Sequence, residues 1–594
     1  MAAIGTFGSY TAARMGIYAS QASLNVTGNN IANINTKGYS RQRMDLVSLQ
    51  SGGGDRYASN MSVNVGYGVL ATGVTQLRDP YLDIRFRNEQ ASVGATEAKL
   101  NGLSELSAIL DEVAKGDDGS GVIEAQLNDF LSQLSVLSRN VGSKEYDTLV
   151  RSSATTLVQL FNSYSKQLGT IEANQSAALN QNLNEVNSVL HSIRGLNEEI
   201  RKAGIHGSDA LELRDQRNNL IDQLSASMKV DVTYTTERID QFTEVEKLVI
   251  SLSDTNPPIN LVDGVYGTEV SIAQLAEKNP NYDPLNPVPG VEEFLMADGT
   301  STNDKSLANM VNDENYRLEL AALTDSKGRY RKDAAGVDMK DSTPLGETEL
   351  YGSLQSIREL LTREGEFSSQ NDLDADKNAN VKRGIPYYRM TLDALAQKFA
   401  ATFNQANTID QAILDADTKG EYAFYNGGVL FSNKGDGNDT AGINAANISI
   451  AKGWAMGEVQ VLHTKEPMVD GISNSTKNDN INHMITLMST KLDYLAKDIQ
   501  GDAKAGKYFT GTFREMLTSM AGTLATDKQT TTALYSNYNA SALSLDNERS
   551  SISGVDLNEE ATSMMQFQKS YAAACRLLTT VDEMLDKLIN GTAL

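Results

Sequence analysis

The chain has 594 residues and a mass of 64.3 kDa, too long for one hydrophobic core, so three or four domains are expected. Its formal charge of −24, from 76 acidic against 52 basic residues, repels phosphate backbones and argues against nucleic-acid binding. The one cysteine, Cys575, excludes an internal disulfide, and no stretch approaches the roughly 20 apolar residues of a membrane span.

The first seven residues lack a basic segment and a long apolar run, so no Sec-type signal peptide is expected. Residues 1–35 read as a helix of modest hydrophobicity. Ile4, Phe7, Thr11, Met15, Tyr18, Ala22, Asn25 and Asn29 share one side, a face too weak to fold without a packing partner. Lys37-Gly38-Tyr39 should break it, and alternating residues around glycines over 45–78 predict short strands.

Helical patterns follow from Asp79-Pro80 to about 113, over 122–138, and over 144–202. The last carries Leu157, Leu160, Tyr164, Leu168, Ile171, Ala178, Val186, Val189, Ile193, Leu196 and Ile200 in a heptad with one slip near 182, and could reach roughly 85 Å. A further helix follows the 204–207 turn. Strand-and-turn sequences then predict a β-rich insertion over 231–343. Helix returns at 347–364 and 386–416, a second β segment covers 420–465, and 478–550 is expected to be helical again.

No catalytic constellation stands out. The histidines at 191, 206, 463 and 483 are dispersed, and neither a zinc-peptidase helix nor a nucleophile elbow occurs. Residues 501–507 approximate a phosphate loop, but Tyr508 stands where a magnesium-binding hydroxyl belongs. Residues 372–380 resemble the start of a calcium loop, yet Lys377 replaces its glycine and Arg383 its bidentate glutamate, so a solvated acidic loop is expected. No cofactor and no enzymatic activity are expected.

The last forty residues present an apolar seam of Leu557, Ala561, Met564, Tyr571, Cys575, Leu578, Leu585 and Ile589, interrupted by Gln568 and Asp582. Asp556 with Glu559 three residues on forms a capping-box start. Such a helix wants another helix, and inter-subunit packing is favoured over a purely internal core.

Residues 24–39, with Asn29, Asn30, Ala32, Asn33, Thr36, Gly38 and Tyr39 at their heart, resemble the N-terminal signature of bacterial flagellar rod, hook and hook-associated proteins. The tail from Val555-Asp556-Leu557 through Asp582-Glu583-Met584-Leu585 is similar to the matching C-terminal signature. Ser40-Arg41-Gln42 and Asp215-Gln216-Arg217 point, within that family, to the hook–filament junction rather than to the hook itself. Residues 265–343 match nothing recognisable.

The resemblance implies a structural subunit exported through the flagellar type III apparatus to the cell exterior, forming a ring of like subunits on the distal hook. Implied partners are further copies of itself, the hook protein, hook-associated protein 3 and a cytoplasmic flagellar export chaperone, with no nucleic acid and no membrane. The implied fold class is α+β: a long helical bundle or coiled coil formed by both chain ends, with β-rich domains inserted in the middle. The partition expected is 1–56 with 551–594 as the assembly domain, 57–230 with 344–416 and 478–550 as the rod, then 231–343 and 417–477 as β-rich units. The ends are expected to be disordered in the free chain and to order on assembly. The alternatives are the hook protein or another rod–hook component, or an adhesive role for the central insertion.

Overall fold

The computed structural model describes residues 6–591, except 50–67, 115–120, 242, 275, 279–293, 297–315, 334, 347, 369, 435–436, 438, 470–473, 475 and 496–506. All of the 501–507 segment but Lys507 therefore lies outside the described residues, as do Ile4 and the side chain of Phe7.

Helix α1 (Thr6–Ala32) leads into an antiparallel hairpin, β1 (Gln42–Ser48) with β2 (Val69–Gln76), which lies along it. The expected boundary at residue 56 falls in sequence between these two paired strands. Four helices make the rod: α2 (Pro80–Ala114), α3 (Val122–Arg139), α4 (Lys144–Ile205) and α5 (Leu211–Ser227).

Helix α4 is 62 residues long, roughly 90 Å end to end. Its buried row runs Val150, Ala154, Leu157, Phe161, Tyr164, Leu168, Ile171, Gln175, Leu179, Leu183, Val186, Leu190, Ile193, Asn197 and Ile200. The spacing alternates four and three except from Ile171 to Leu183, where three steps of four adjoin. That is a stutter, and it accounts for the slip expected near 182.

The insertion is β-rich as expected. A four-stranded antiparallel sheet comprises β3 (Val230–Arg238), β4 (Glu244–Leu252), β5 (Asn260–Asp263) and β6 (Tyr266–Gly267). A second sheet orders β11 (Thr343–Pro344), β10 (Tyr316–Leu320) and β7 (Val270–Gln274), while β8 (Ala276–Lys278) pairs with β9 (Phe294–Met296). Asn187 fastens the insertion to α4, its side chain accepting from Val270 N at 2.7 Å and donating to Val270 O at 2.9 Å.

The chain then returns to the rod through α6 (Gly352–Thr362) and α7 (Ile385–Ala406). Gly352 has φ +78°, and a Cβ there would lie 2.6 Å from the Ser227 carbonyl, so only glycine permits this approach to the end of α5. The helix expected over 386–416 stops at Asn407, whose fully buried amide donates to Gly428 O and Gln460 O and accepts from Leu462 N. With its main-chain neighbours tied elsewhere, the helix cannot continue, and Asp410 caps a separate short turn, Gln411–Asp415.

The second β segment is thinner than expected: among its described residues only β12 (Phe431–Asn433) and β13 (Ile448–Ile450) pair. Residues 421–424 form turns instead of a strand, because the Asp417 carboxylate accepts from Glu421 N and Tyr422 N and folds the backbone around it. Asn404, Asn407 and Asn162 hydrogen-bond the irregular backbone of 428–462 in place of a sheet.

The expected helix over 478–550 is also corrected. Helix α8 (Asp479–Leu487) is followed by a hairpin, β14 (Leu492–Leu495) with β15 (Lys507–Gly511). Tyr494 there is buried and Phe509 packs beside it, an alternation that suits a strand. Helix α9 (Phe513–Ser553) starts only at a capping box, Thr512 with Glu515, and α10 (Leu557–Gly591) ends the chain.

The rod core centres on Phe399, whose ring lies 4.7–5.6 Å from those of Phe130, Phe403, Phe431 and Phe513. These rings come from α3, α7, β12 and α9, so one side chain joins segments from both halves of the sequence. Replacing Phe399 with Ala should destabilise the rod by about 3–5 kcal/mol in denaturant unfolding. A loss near zero would mean the elements are joined elsewhere.

Candidate functional site

Sequence reasoning singled out both chain ends, and they meet. Helices α1 and α10 pack against each other, and the strap at 33–42 runs between them and α5. Asn30, 1% exposed, uses every hydrogen-bonding site of its amide. Its Nδ2 donates to Gln42 O at 2.9 Å and to Glu560 Oε2 at 3.2 Å, and its Oδ1 accepts from Tyr39 Oη at 2.9 Å and Gln42 N at 3.0 Å. Burial, then the charges of Glu212, Asp215 and Glu560, push the Tyr39 phenol far above its ordinary value, so it stays protonated and donates.

Glu560 is 2% exposed and is the buried carboxylate of this site nearest the tail. Arg41 Nε donates to it at 2.7 Å, while Arg41 Nη1 reaches Glu559 at 2.5 Å and Arg41 N donates to Ser553 O at 2.8 Å. Burial of the guanidinium works against its charge, yet hydrogen bonds and charge from Glu559 and Glu560 outweigh it and raise the Arg41 pKa. Asp556 caps α10 through Asn558 N and Glu559 N.

On the other side of the strap, Ser40 donates from N at 3.0 Å and from Oγ at 2.8 Å to Asp215. Burial raises the Asp215 pKa, and those Ser40 bonds with Arg78 oppose it. Gly38 has φ +77°, and a Cβ there would overlap the Asn219 amide, which donates to Lys37 O at 3.1 Å. Arg549 of α9 closes the arrangement, donating to Asp222 of α5 at 2.7 Å and lying 4.2 Å above the Phe86 ring of α2. The segments Ser40-Arg41-Gln42 and Asp215-Gln216-Arg217 are thus two sides of one contact.

Of the remaining signature residues, Asn33 donates to Asn29 O and Oδ1 and accepts from Thr36 Oγ1, ending α1. Ala32 is exposed and makes none of these bonds.

The helix faces differ from expectation. On α1 the buried residues are Ala13, Ala19, Ser20, Ser23, Thr27 and Asn30, whereas Tyr18 is 58% exposed and Asn25 is exposed. Small side chains bring the helices close: a Cβ on Gly16 would sit 3.6 Å from Ala574 Cβ. Ser23 Oγ satisfies itself on Ala19 O, so this polar face can be buried without orphaned groups.

On α10 the row turned toward α1 runs Glu560, Met564, Phe567, Tyr571, Ala574, Leu578, Val581 and Leu585, with Glu560 and Val581 fully buried and Tyr571 at its edge 37% exposed. It shares Met564, Tyr571, Leu578 and Leu585 with the expected seam but turns toward Phe567 and Val581, away from Gln568 and Asp582. Leu557 at 53%, Ile589 at 65% and Ala561 therefore stay exposed, and Cys575 is half-buried.

The acidic loop is an ion pair. Asp376 meets Lys382 Nζ at 2.8 Å and Arg363 at 3.4 Å; burial works against the carboxylate, but Lys382 holds its pKa below the usual range. Among the described residues no three His, Cys, Asp or Glu side chains could together hold a metal ion, and no helix is long and apolar enough to cross a membrane. The strap joins segments from both ends of the chain to α5.

Three family models match: the flagellar hook-associated protein FlgK helical domain over 107–281, the flagellar basal body rod FlgEFG protein C-terminal region over 547–591, and the flagella basal body rod protein over 12–39. The flagellar hook-associated protein 1 of Bacillus subtilis is 27% identical over 591 residues, covering 99% of this chain and 98% of its own. Those of Escherichia coli and Salmonella typhimurium are each 23% identical, covering 97% of this chain and 98% of theirs. The flagellar hook junction protein FlgK of Burkholderia pseudomallei superposes with a TM-score of 0.38 at 14% identity, over 59% of this chain and 46% of its own, too loosely to carry an argument.

Replacing Asn30 with Asp removes both donors and sets a second carboxylate beside Glu560. Local opening of α10, read by amide exchange over 557–575, should become easier by about 2–3 kcal/mol. Exchange unchanged from the parent would mean Asn30 holds nothing. The chain is thus similar over its full length to flagellar hook-associated protein 1, and its two ends match the rod-protein terminal models.

Proposed function

We propose that the chain is a structural subunit of the bacterial flagellum that joins hook to filament, and that its terminal helices build the junction by packing against those of neighbouring copies. One observation carries the reading. Helix α10 has two apolar rows sharing Met564, Tyr571, Leu578 and Leu585, and α1 covers only one of them. The other leaves Leu557 and Ile589 exposed, with Met565, Leu577 and Met584 beside them at 47–56%. An apolar stripe of this extent on a terminal helix marks an interaction surface.

The signature residues Asn29, Asn30, Ala32, Asn33, Thr36, Gly38 and Tyr39 would then fix the angle at which the terminal pair leaves the rod, and the uncovered residues of α10 would meet sister subunits. Residues 6–76 with α10 form the assembly unit. The hook protein and hook-associated protein 3 fit as neighbours below and above a ring of copies. Export through the flagellar apparatus, with a cytoplasmic chaperone shielding α10, fits a stripe that would otherwise promote premature association. The role is mechanical, without catalysis.

Deleting 1–40 or 556–594 should abolish assembly on hooks while circular dichroism and unfolding of the rod persist. Hook–filament joining that survives either deletion overturns the proposal. A second outcome follows from the small-residue packing of α1. In the free chain limited proteolysis should remove both ends before it cuts α4, and equal resistance throughout would contradict assembly-coupled ordering.

A further inference from the structure

Subunits that each carry −24 charges repel one another, so closely packed copies must meet where charge is sparse. The terminal pair meets this condition on α1, which has no charged residue between Arg14 and Lys37. A second run lies on α9, where nothing is charged between Lys528 and Asp546.

This run is not interior. Thr531, Ala542 and Leu545 face inward, on the helix that packs along α2. On the outer side Leu534, Asn537, Ser541 and Ser544 are exposed and fall three, four and three residues apart, one stripe of the helix. Leu534 is 41% exposed, and Leu543 beside the stripe is 57% exposed. By contrast, exposed positions on α10 hold Glu559, Lys569, Arg576, Asp582, Glu583, Asp586 and Lys587. An exposed helix in an acidic chain ordinarily carries charge for solubility. A bare face of small polar residues with two leucines loses little hydration when it is covered.

Only residues 554–556 separate α9 from α10, so this face continues the terminal pair's surface along the rod. We infer that the outer stripe of α9, from Leu534 to Ser544, is a second self-contact that seats the rod of the neighbouring copy. The inference rests on the self-assembly proposed above and extends it from the chain ends to the rod. A second copy is the occupant because the surface chemistry matches α1: uncharged, small and polar, and so free of the like-charge penalty that two such chains meet elsewhere.

The test places charge on the stripe. The triple variant Asn537→Glu, Ser541→Glu, Ser544→Glu should reduce the number of full-length chains assembled on isolated hooks at least tenfold. Its unfolding midpoint as a free chain should match the parent. The neutral triple Asn537→Gln, Ser541→Ala, Ser544→Ala should assemble as the parent does. Undiminished assembly of the glutamate triple overturns the inference and leaves the terminal-helix reading intact, since the end deletions test that separately. Equal loss in the neutral triple also overturns it, because charge would not be the cause.

The occupant is read by Ser541→Cys in a Cys575→Ala chain carrying a benzophenone label on the new thiol. An adduct of twice the chain mass from assembled junctions supports a second copy. An adduct to the hook protein or to a chaperone, or no adduct at all, refutes that assignment.

Discussion

A buried carboxylate needs a partner, and the terminal architecture is built around that demand. Glu560 is sealed between α1 and α10, and Arg41 and Asn30 answer its charge. Removing one member of a buried pair strands the other at about 3–5 kcal/mol, so the pairing sets register more firmly than the weak apolar contact beside it. The same strap turns its other side to Asp215, which accepts from Ser40. Two acidic side chains more than three hundred residues apart thus hold one short segment between them, and through it the terminal pair is tied to the rod.

The two parts of the molecule differ in how they are held. The rod is dense with aromatic and aliphatic side chains, including the ring cluster around Phe399 and the buried row of α4. The terminal pair buries alanine, serine, threonine and asparagine on one helix against a single row on the other. Little apolar area is removed from water there, so local opening of the ends should require much less free energy than unfolding the rod. That gradient suits a part whose middle must persist while its ends exchange partners.

The helical rod was legible because burial there follows a 3.6-residue period that the sequence repeats without ambiguity, including the break in α4. The α+β class and the central insertion were legible for the same reason, through alternation. What misled was competition between nearly equal patterns. On α10 two heptads share four residues, and periodicity alone does not tell which of them α1 covers, the row through Phe567 and Val581 or the expected seam through Leu557 and Ile589. On α1 periodicity points to the side from Ile4 to Asn29, which includes Met15 and Tyr18, whereas close approach to α10 selects small residues such as Ala13, Ala19, Ser20 and Ser23. The irregular stretch after Asn407 escaped because asparagine side chains replace a strand ladder there, and periodicity carries no trace of such bonds. The Ser40–Asp215 and Arg41–Glu560 pairings spanned too much sequence to be derived, although both motifs were individually conspicuous.

The break in the α4 repeat carries its own consequence. An unbroken heptad over so long a helix would impose a steady left-handed coil on whatever packs along it, whereas the three successive steps of four from Ile171 to Leu183 relax that coil midway. The average repeat then lies near that of a straight helix. A straight strut transmits compression and bending along its axis, where a coiled one would convert part of each into rotation. A load applied at one end of the rod then reaches the other without winding it.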